Sequence, residues 1–296
     1  MKNNIAVIIR WVFAGLFVTV LAAGCSGTQK APVTPDNGRD SQLSSTLNDQ
    51  SALGVSPNIK YLGTAVDPVT GKTVEGYLIR HPKEGDSASL NEIRQAAKVS
   101  KPSKVTTCYA FLSAGAKWKI VEDWLVNPSN GDGLASDFIL ANLTGDIGKW
   151  EDAADGITDD GYSINILGNG SLTSTPLIAD ETAPDGKNEV YFGTLDTNTI
   201  AVTIVWGIFL GPASKKELVE WDMIFDDTYN TWSSSGELDK MDFENIATHE
   251  LGHSCGMSDL YKTSCTEVTM YGYASDGETK KQTLEYDDIL GISTLY

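Results

Sequence analysis

The spacing of apolar residues changes several times along this chain, and each change marks an element. Trp11 to Ala23 is an uncharged apolar run of 13 residues. Residues 26–58 are rich in Ser, Thr, Gly, Asn, Asp and Pro and read as a tether, because they cannot bury enough surface to fold alone. Residues 60–80 predict two short strands around a Pro-Val-Thr-Gly turn, and residues 81–105 return to polar sequence. Trp118 to Val126 reads as a strand closed by Asn127-Pro128. Ile139, Leu143, Ile147 and Trp150 then recur at helical spacing, which predicts an amphipathic helix within 134–153. β-rich runs follow at 189–192, 200–209 and 218–226; the last puts Trp221, Met223 and Phe225 on one face and Asp222, Ile224 and Asp226 on the other. Asp242 is a good N-cap for a helix ending near Cys255, before Gly256. A closing helix spans about Leu284 to Leu295 behind Thr283. This order predicts an α+β domain with a twisted mixed sheet, placed at residues 106–296.

The N-terminus looks like an export address. Lys2 and Arg10 precede the apolar run, which is short for a bilayer span of roughly 20 residues. Its end, Leu21-Ala22-Ala23-Gly24-Cys25, resembles a bacterial-type lipobox. The resemblance implies a signal peptide at 1–24, lipid on Cys25, and a cell-surface protein held to the membrane by that lipid. Secretion after cleavage elsewhere is the alternative. Residues 25–105 are then a lipid-anchored tether or a propeptide with a short hairpin.

Composition narrows the partners. The formal charge is −18, or −20 once residues 1–24 are removed. Nucleic acid is excluded, since phosphate binding needs a basic face. With Cys25 lipidated, Cys108, Cys255 and Cys265 remain, enough for one disulfide and one thiol outside the cytoplasm.

Histidine is scarce, with 3 in the chain, and two stand four residues apart in Thr248-His249-Glu250-Leu251-Gly252-His253-Ser254-Cys255-Gly256-Met257-Ser258-Asp259. On a helix that spacing turns both imidazoles toward one ion. Glu250 lies one step round, within reach of a water at the ion. Gly256 permits the positive φ that lets the chain fold back and deliver Asp259. Two imidazoles, a carboxylate and an open position make a hydrolytic zinc site, with Glu250 as general base.

With HExxHxxGxxD complete, the stretch from Asp242 to Tyr296 resembles the metzincin zinc endopeptidases, most closely the matrixin type. Asp259 stands where matrixins usually carry a third His, a variation similar to snapalysin-type proteases. The resemblance implies a metzincin-type catalytic domain with an active-site helix, a Met-turn at Met270 and a C-terminal helix. It places Tyr271 in the wall of the S1′ pocket. It makes 200–207 the upper edge strand, along which an extended substrate pairs antiparallel. It pairs Cys108 with Cys265 and leaves Cys255 free; Cys255–Cys265 is the rival pairing. His81 fits no ligand spacing of the family and is expected at the surface. One catalytic Zn2+ is expected. Ca2+ on Asp180, Glu181, Asp185 or Asp226 is a further alternative, although acids in such a chain are ordinarily solvated.

The resulting expectation is an exported, monomeric zinc metalloendopeptidase acting on proteins or peptides. A non-catalytic zinc-binding surface lipoprotein with a metzincin-like fold is the alternative. A gluzincin-type zinc hydrolase is disfavoured by the spacing from Gly256 to Asp259 and by Met270.

Overall fold

The computed structural model describes residues 58–85 and 107–296. The signal-like run, Cys25 and most of the tether lie outside the described residues. No helix among the described residues is long and apolar enough to cross a membrane.

One seven-stranded sheet organises these residues. Its strands are β1 (Ile59–Val66), β2 (Thr73–Pro82), β3 (Trp124–Asn127), β4 (Gly170–Leu172), β5 (Asn188–Gly193), β6 (Thr199–Ile208) and β7 (Glu217–Asp226). Their spatial order is β1-β2-β6-β7-β5-β3-β4. The pairs from β1 to β7 are antiparallel and those from β7 to β4 parallel. A separate short parallel pair joins β8 (Trp232–Ser233) to β9 (Met241–Asp242).

β6 is apolar on both faces because both are covered. Ala201 and Val205 face the main core, whereas Val202, Ile204 and Trp206 form a second cluster with Val74 of β2. Two-residue alternation gives β2 the same division: Tyr77 and Ile79 enter the main core. The β2 backbone passes directly over an indole, since a Cβ on Gly76 would lie 2.6 Å from the Trp206 ring.

Among the described residues three α-helices pack with the sheet: α1 (Ser136–Asp152), α2 (Phe243–Ser254) and α3 (Tyr286–Leu295). The α1 positions Ile139, Leu143, Ile147 and Trp150 are all buried. Trp150 donates from Nε1 to the Thr248 carbonyl of α2 at 2.8 Å, which orients the two helices. The Asp242 side chain caps α2 by accepting from Asn245 N at 2.9 Å. Glu285 and Asp288 cap α3 reciprocally, so that helix starts after Glu285 and not after Thr283. The disulfide joins Cys108 to Cys265, and Cys255 is a buried free thiol.

The boundaries read from sequence change in three places. The strand expected from Trp118 is confined to Trp124–Asn127, with Trp118 making only an isolated bridge to Leu218. The 60–80 hairpin is part of the main sheet, so the domain draws on residues N-terminal to 106. Strand β6 is not an edge, because β2 covers it.

Two stability predictions follow from this packing. A Cβ at Gly252 would meet Met270 Sδ at 2.3 Å and Trp150 at 2.8 Å. Gly252→Ala should therefore lower stability by about 1–3 kcal/mol, the usual overpacking cost, despite a better helix residue. A unchanged urea midpoint would show that α2 is not pinned there. Replacing Cys108 and Cys265 together by Ser should cost on the order of 3–5 kcal/mol in guanidinium unfolding, because the bridge closes a long loop.

Candidate functional site

The site forms where α2 ends and the chain reverses. His249 and His253 project from one face of α2, and Gly256 adopts φ +102°. A Cβ at Gly256 would lie 2.9 Å from the Ala116 carbonyl, so that turn needs glycine twice over. The returning segment is held by Ser258 N to Ala110 O (2.9 Å) and Leu260 N to Met270 O (2.9 Å). Asp259 is thereby brought against both rings: its Oδ1 lies 3.1 Å from His249 Nε2 and 3.4 Å from His253 Nε2.

Outer hydrogen bonds set the rings. His249 Nδ1 donates to Thr269 O at 2.6 Å, and His253 Nδ1 donates to Met257 O at 3.0 Å. Each neutral ring then points an Nε2 lone pair at the Asp259 carboxylate. These three atoms are buried and have no hydrogen-bond partner. Such a convergence needs positive charge. A proton serves only one ring. Burial pushes His249 down to about 3. In His253 burial is the largest influence and pulls downward, but the Asp259 charge and contact, the Glu250 charge and the Met257 carbonyl together outweigh it and the net shift is up. A divalent ion satisfies all three atoms at once, and two imidazoles with a carboxylate suit zinc. Tyr261 steadies the ligand set by donating from its hydroxyl to Asp259 Oδ2 at 2.8 Å.

Glu250 is completely buried, and burial pushes its carboxyl up to about 7. Both its oxygens are taken. Thr203 of β6 donates to Oε2 at 2.6 Å, and His81 Nδ1 donates to Oε1 at 2.8 Å. The expectation that His81 lies at the surface is therefore wrong: it is 0% exposed, and its ring stacks on His249 at 4.0 Å between centroids. Lys281, also 0% exposed, donates to His81 Nε2 at 3.1 Å and to the Tyr271 carbonyl. His81 and Lys281 were missed because neither belongs to a local motif. Alternation did hold a signal: Tyr77 and Ile79 face the core, and His81 is the next residue of that face.

The remaining predicted residues are placed as follows. Met270 is buried beneath Gly252 of α2. Its turn is held by Asp288, which accepts from Thr269 N at 2.8 Å and Met270 N at 3.3 Å. Tyr271 stands beside the site, its carbonyl on Lys281 and its ring 5.8 Å from that of Tyr273. Asp226 spends its carboxylate on Leu195 N, Tyr229 N and Asn230. Asp180 gathers with Glu220 and Asp222. Burial and the neighbouring Asp222 push Glu220 up to about 9.

Comparison with known proteins points the same way. The family model described as Matrixin matches residues 207–296, which contain every proposed ligand. Metalloendoproteinase 2-MMP of Arabidopsis thaliana is 29% identical over 157 residues, covering 50% of this chain and 34% of that protein. The chain thus matches about a third of the length of this curated relative. The α+β fold is that of a metzincin-type catalytic domain, and its C-terminal part is matrixin-like.

Proposed function

We propose that this chain is an exported zinc endopeptidase, with zinc held by His249, His253 and Asp259 and with Glu250 as general base. The observation that carries the reading is the buried meeting of two Nε2 lone pairs and one carboxylate oxygen, none with a hydrogen-bond partner. Zinc, when bound, supplies a Lewis acid for a carbonyl oxygen and makes water a better acid. Glu250 takes the proton from the attacking water and returns it to the leaving amine. Its upward-shifted carboxyl is matched to that exchange near neutrality. Thr203 fixes Oε2, which leaves Oε1 as the atom facing the water once His81 withdraws. The substrates are proteins or peptides outside the cell, and the domain acts as a monomer. The signal-like N-terminus supports export and lipid attachment at Cys25.

A second reading has one observation in its favour. His81 on Glu250 would suit a surface protein that binds zinc without turnover. Casein digestion separates the two when measured on the unsubstituted chain and on His81→Ala. Digestion by either protein, abolished by a chelator and restored by zinc, supports the protease; zinc binding without digestion in both supports the binding protein.

The roles of the ligands and the base also separate. Glu250→Gln should keep about one zinc per chain yet lose cleavage by at least ~100-fold, the range of general-base catalysis. His253→Ala should lose both metal and cleavage. Undiminished hydrolysis by Glu250→Gln would remove the assigned base. Zinc added at 100 times its Kd should stabilise the metal-free chain by about 2.7 kcal/mol in thermal unfolding, and should not stabilise His253→Ala.

A further inference from the structure

The path of the chain after β2 bears directly on this site. β2 runs antiparallel to β6, with His81 opposite Ala201 and Ile79 opposite Thr203, the residue that holds Glu250. Beyond Pro82 the chain enters the gap between β6 and the segment after the Met-turn. Lys83 N donates to Asn198 O at 2.9 Å, Glu84 N donates to Ala274 O at 2.8 Å, and Lys83 bridges Ala274 in parallel. Side chains tighten the seat: Lys83 pairs with Asp276 at 2.8 Å, and Ser275 donates to Glu84 at 2.9 Å. An extended peptide presenting a bond to Glu250 would need this same path, because β6 carries Thr203 and offers the backbone groups beside the base.

The side chain in the pocket is equally specific. His81 packs against the His249 ring at a tilt of 32°, donates to Glu250 and accepts from Lys281. Lys281 closes the pocket. Its two hydrogen-bond acceptors, the Tyr271 carbonyl and the His81 ring, are neutral. A buried ammonium with neutral partners gains from any stronger acceptor that reaches it, and burial already pulls it down to about 8. An aliphatic side chain in this pocket would leave one of its N–H groups unpaired, which burial makes costly.

We propose that β2 and the two residues after it are a peptide docked in the chain's own substrate cleft, and that Lys281 makes the pocket filled by His81 select a side chain bearing a hydrogen-bond acceptor: imidazole, carboxamide or carboxylate. The proposal deepens the endopeptidase reading and rests on it. The chain is then latent while His81 holds Glu250. A substrate displaces β2, and the residue taking the place of His81 is read by Lys281.

The test uses the zinc-loaded full chain, its His81→Ala and His81→Gln variants, and the Lys281→Met change made in the His81→Ala background. Two readouts are taken: hydrogen exchange at the β2 amides, and cleavage of a peptide library. Added peptide of residues 78–84 should accelerate β2 exchange in His81→Ala. The same peptide with Leu in place of His should be weaker by about tenfold or more, the factor that one lost hydrogen bond to a charged group predicts. His81→Ala should also cleave library peptides at least about tenfold faster than the unsubstituted chain, preferring His, Gln, Asn, Glu or Asp after the cut. His81→Gln keeps a donor and an acceptor and should stay latent. Lys281→Met should move the preference to Leu and Met.

Exchange at β2 that ignores saturating peptide, with no gain in His81→Ala, would make β2 a permanent strand and overturn the docking. A Leu preference with Lys281 intact would overturn its selective role. If peptide displaces β2 in the expected order yet no variant cleaves while zinc is bound, the endopeptidase reading fails and the docking stands.

Discussion

Three electron-rich atoms that repel one another are forced together inside this protein. His249 Nε2 and His253 Nε2 lie 3.1 and 3.4 Å from Asp259 Oδ1, all three buried and without hydrogen-bond partners. Such a meeting is costly, and a cation among the three atoms would offset both the desolvation and the repulsion. Much of the surrounding architecture resists that repulsion. α1 clamps α2 through Trp150, Gly256 turns the chain back, and the Asp288 carboxylate holds the Met-turn that carries Thr269 beneath His249. The disulfide anchors the segment that follows Asp259 to the stretch that leads into β3.

The chemistry beside that pocket depends on a second constraint, the limited space around Glu250. One oxygen is fixed by a sheet residue, Thr203, and the other by His81 from a hairpin remote in sequence. Sheet geometry explains why the hairpin reaches so far. The side of β6 away from β7 is paired by β2, which carries the chain to His81 beside Glu250. Two-residue parity then turns His81 inward after Tyr77 and Ile79. Backbone pairing along that side does not distinguish a strand of the chain itself from another extended peptide.

Elements whose stabilising pattern is local were readable in advance. The Ile139–Trp150 stripe foretold α1, Asp242 and Gly256 bracketed α2, and the two short strands around the Pro-Val-Thr-Gly turn in 60–80 foretold the hairpin. The partnership of that hairpin was not readable. A polar stretch following a short strand pair looks like a linker whether or not the pair joins a larger sheet. Likewise the expected edge at 200–207 has the composition of a strand buried on both faces, and composition does not name its neighbour.

By itself the sequence determined the convergence of His249, His253 and Asp259, because four-residue spacing, a glycine turn and a nearby acid act within a dozen residues and need only a helix to express them. Tertiary structure alone decided that His81 rests on Glu250 and that Lys281, 200 residues further on, closes the pocket behind it. Those contacts come from strand order and from chain reversals across the domain, where no local period records which segments will meet.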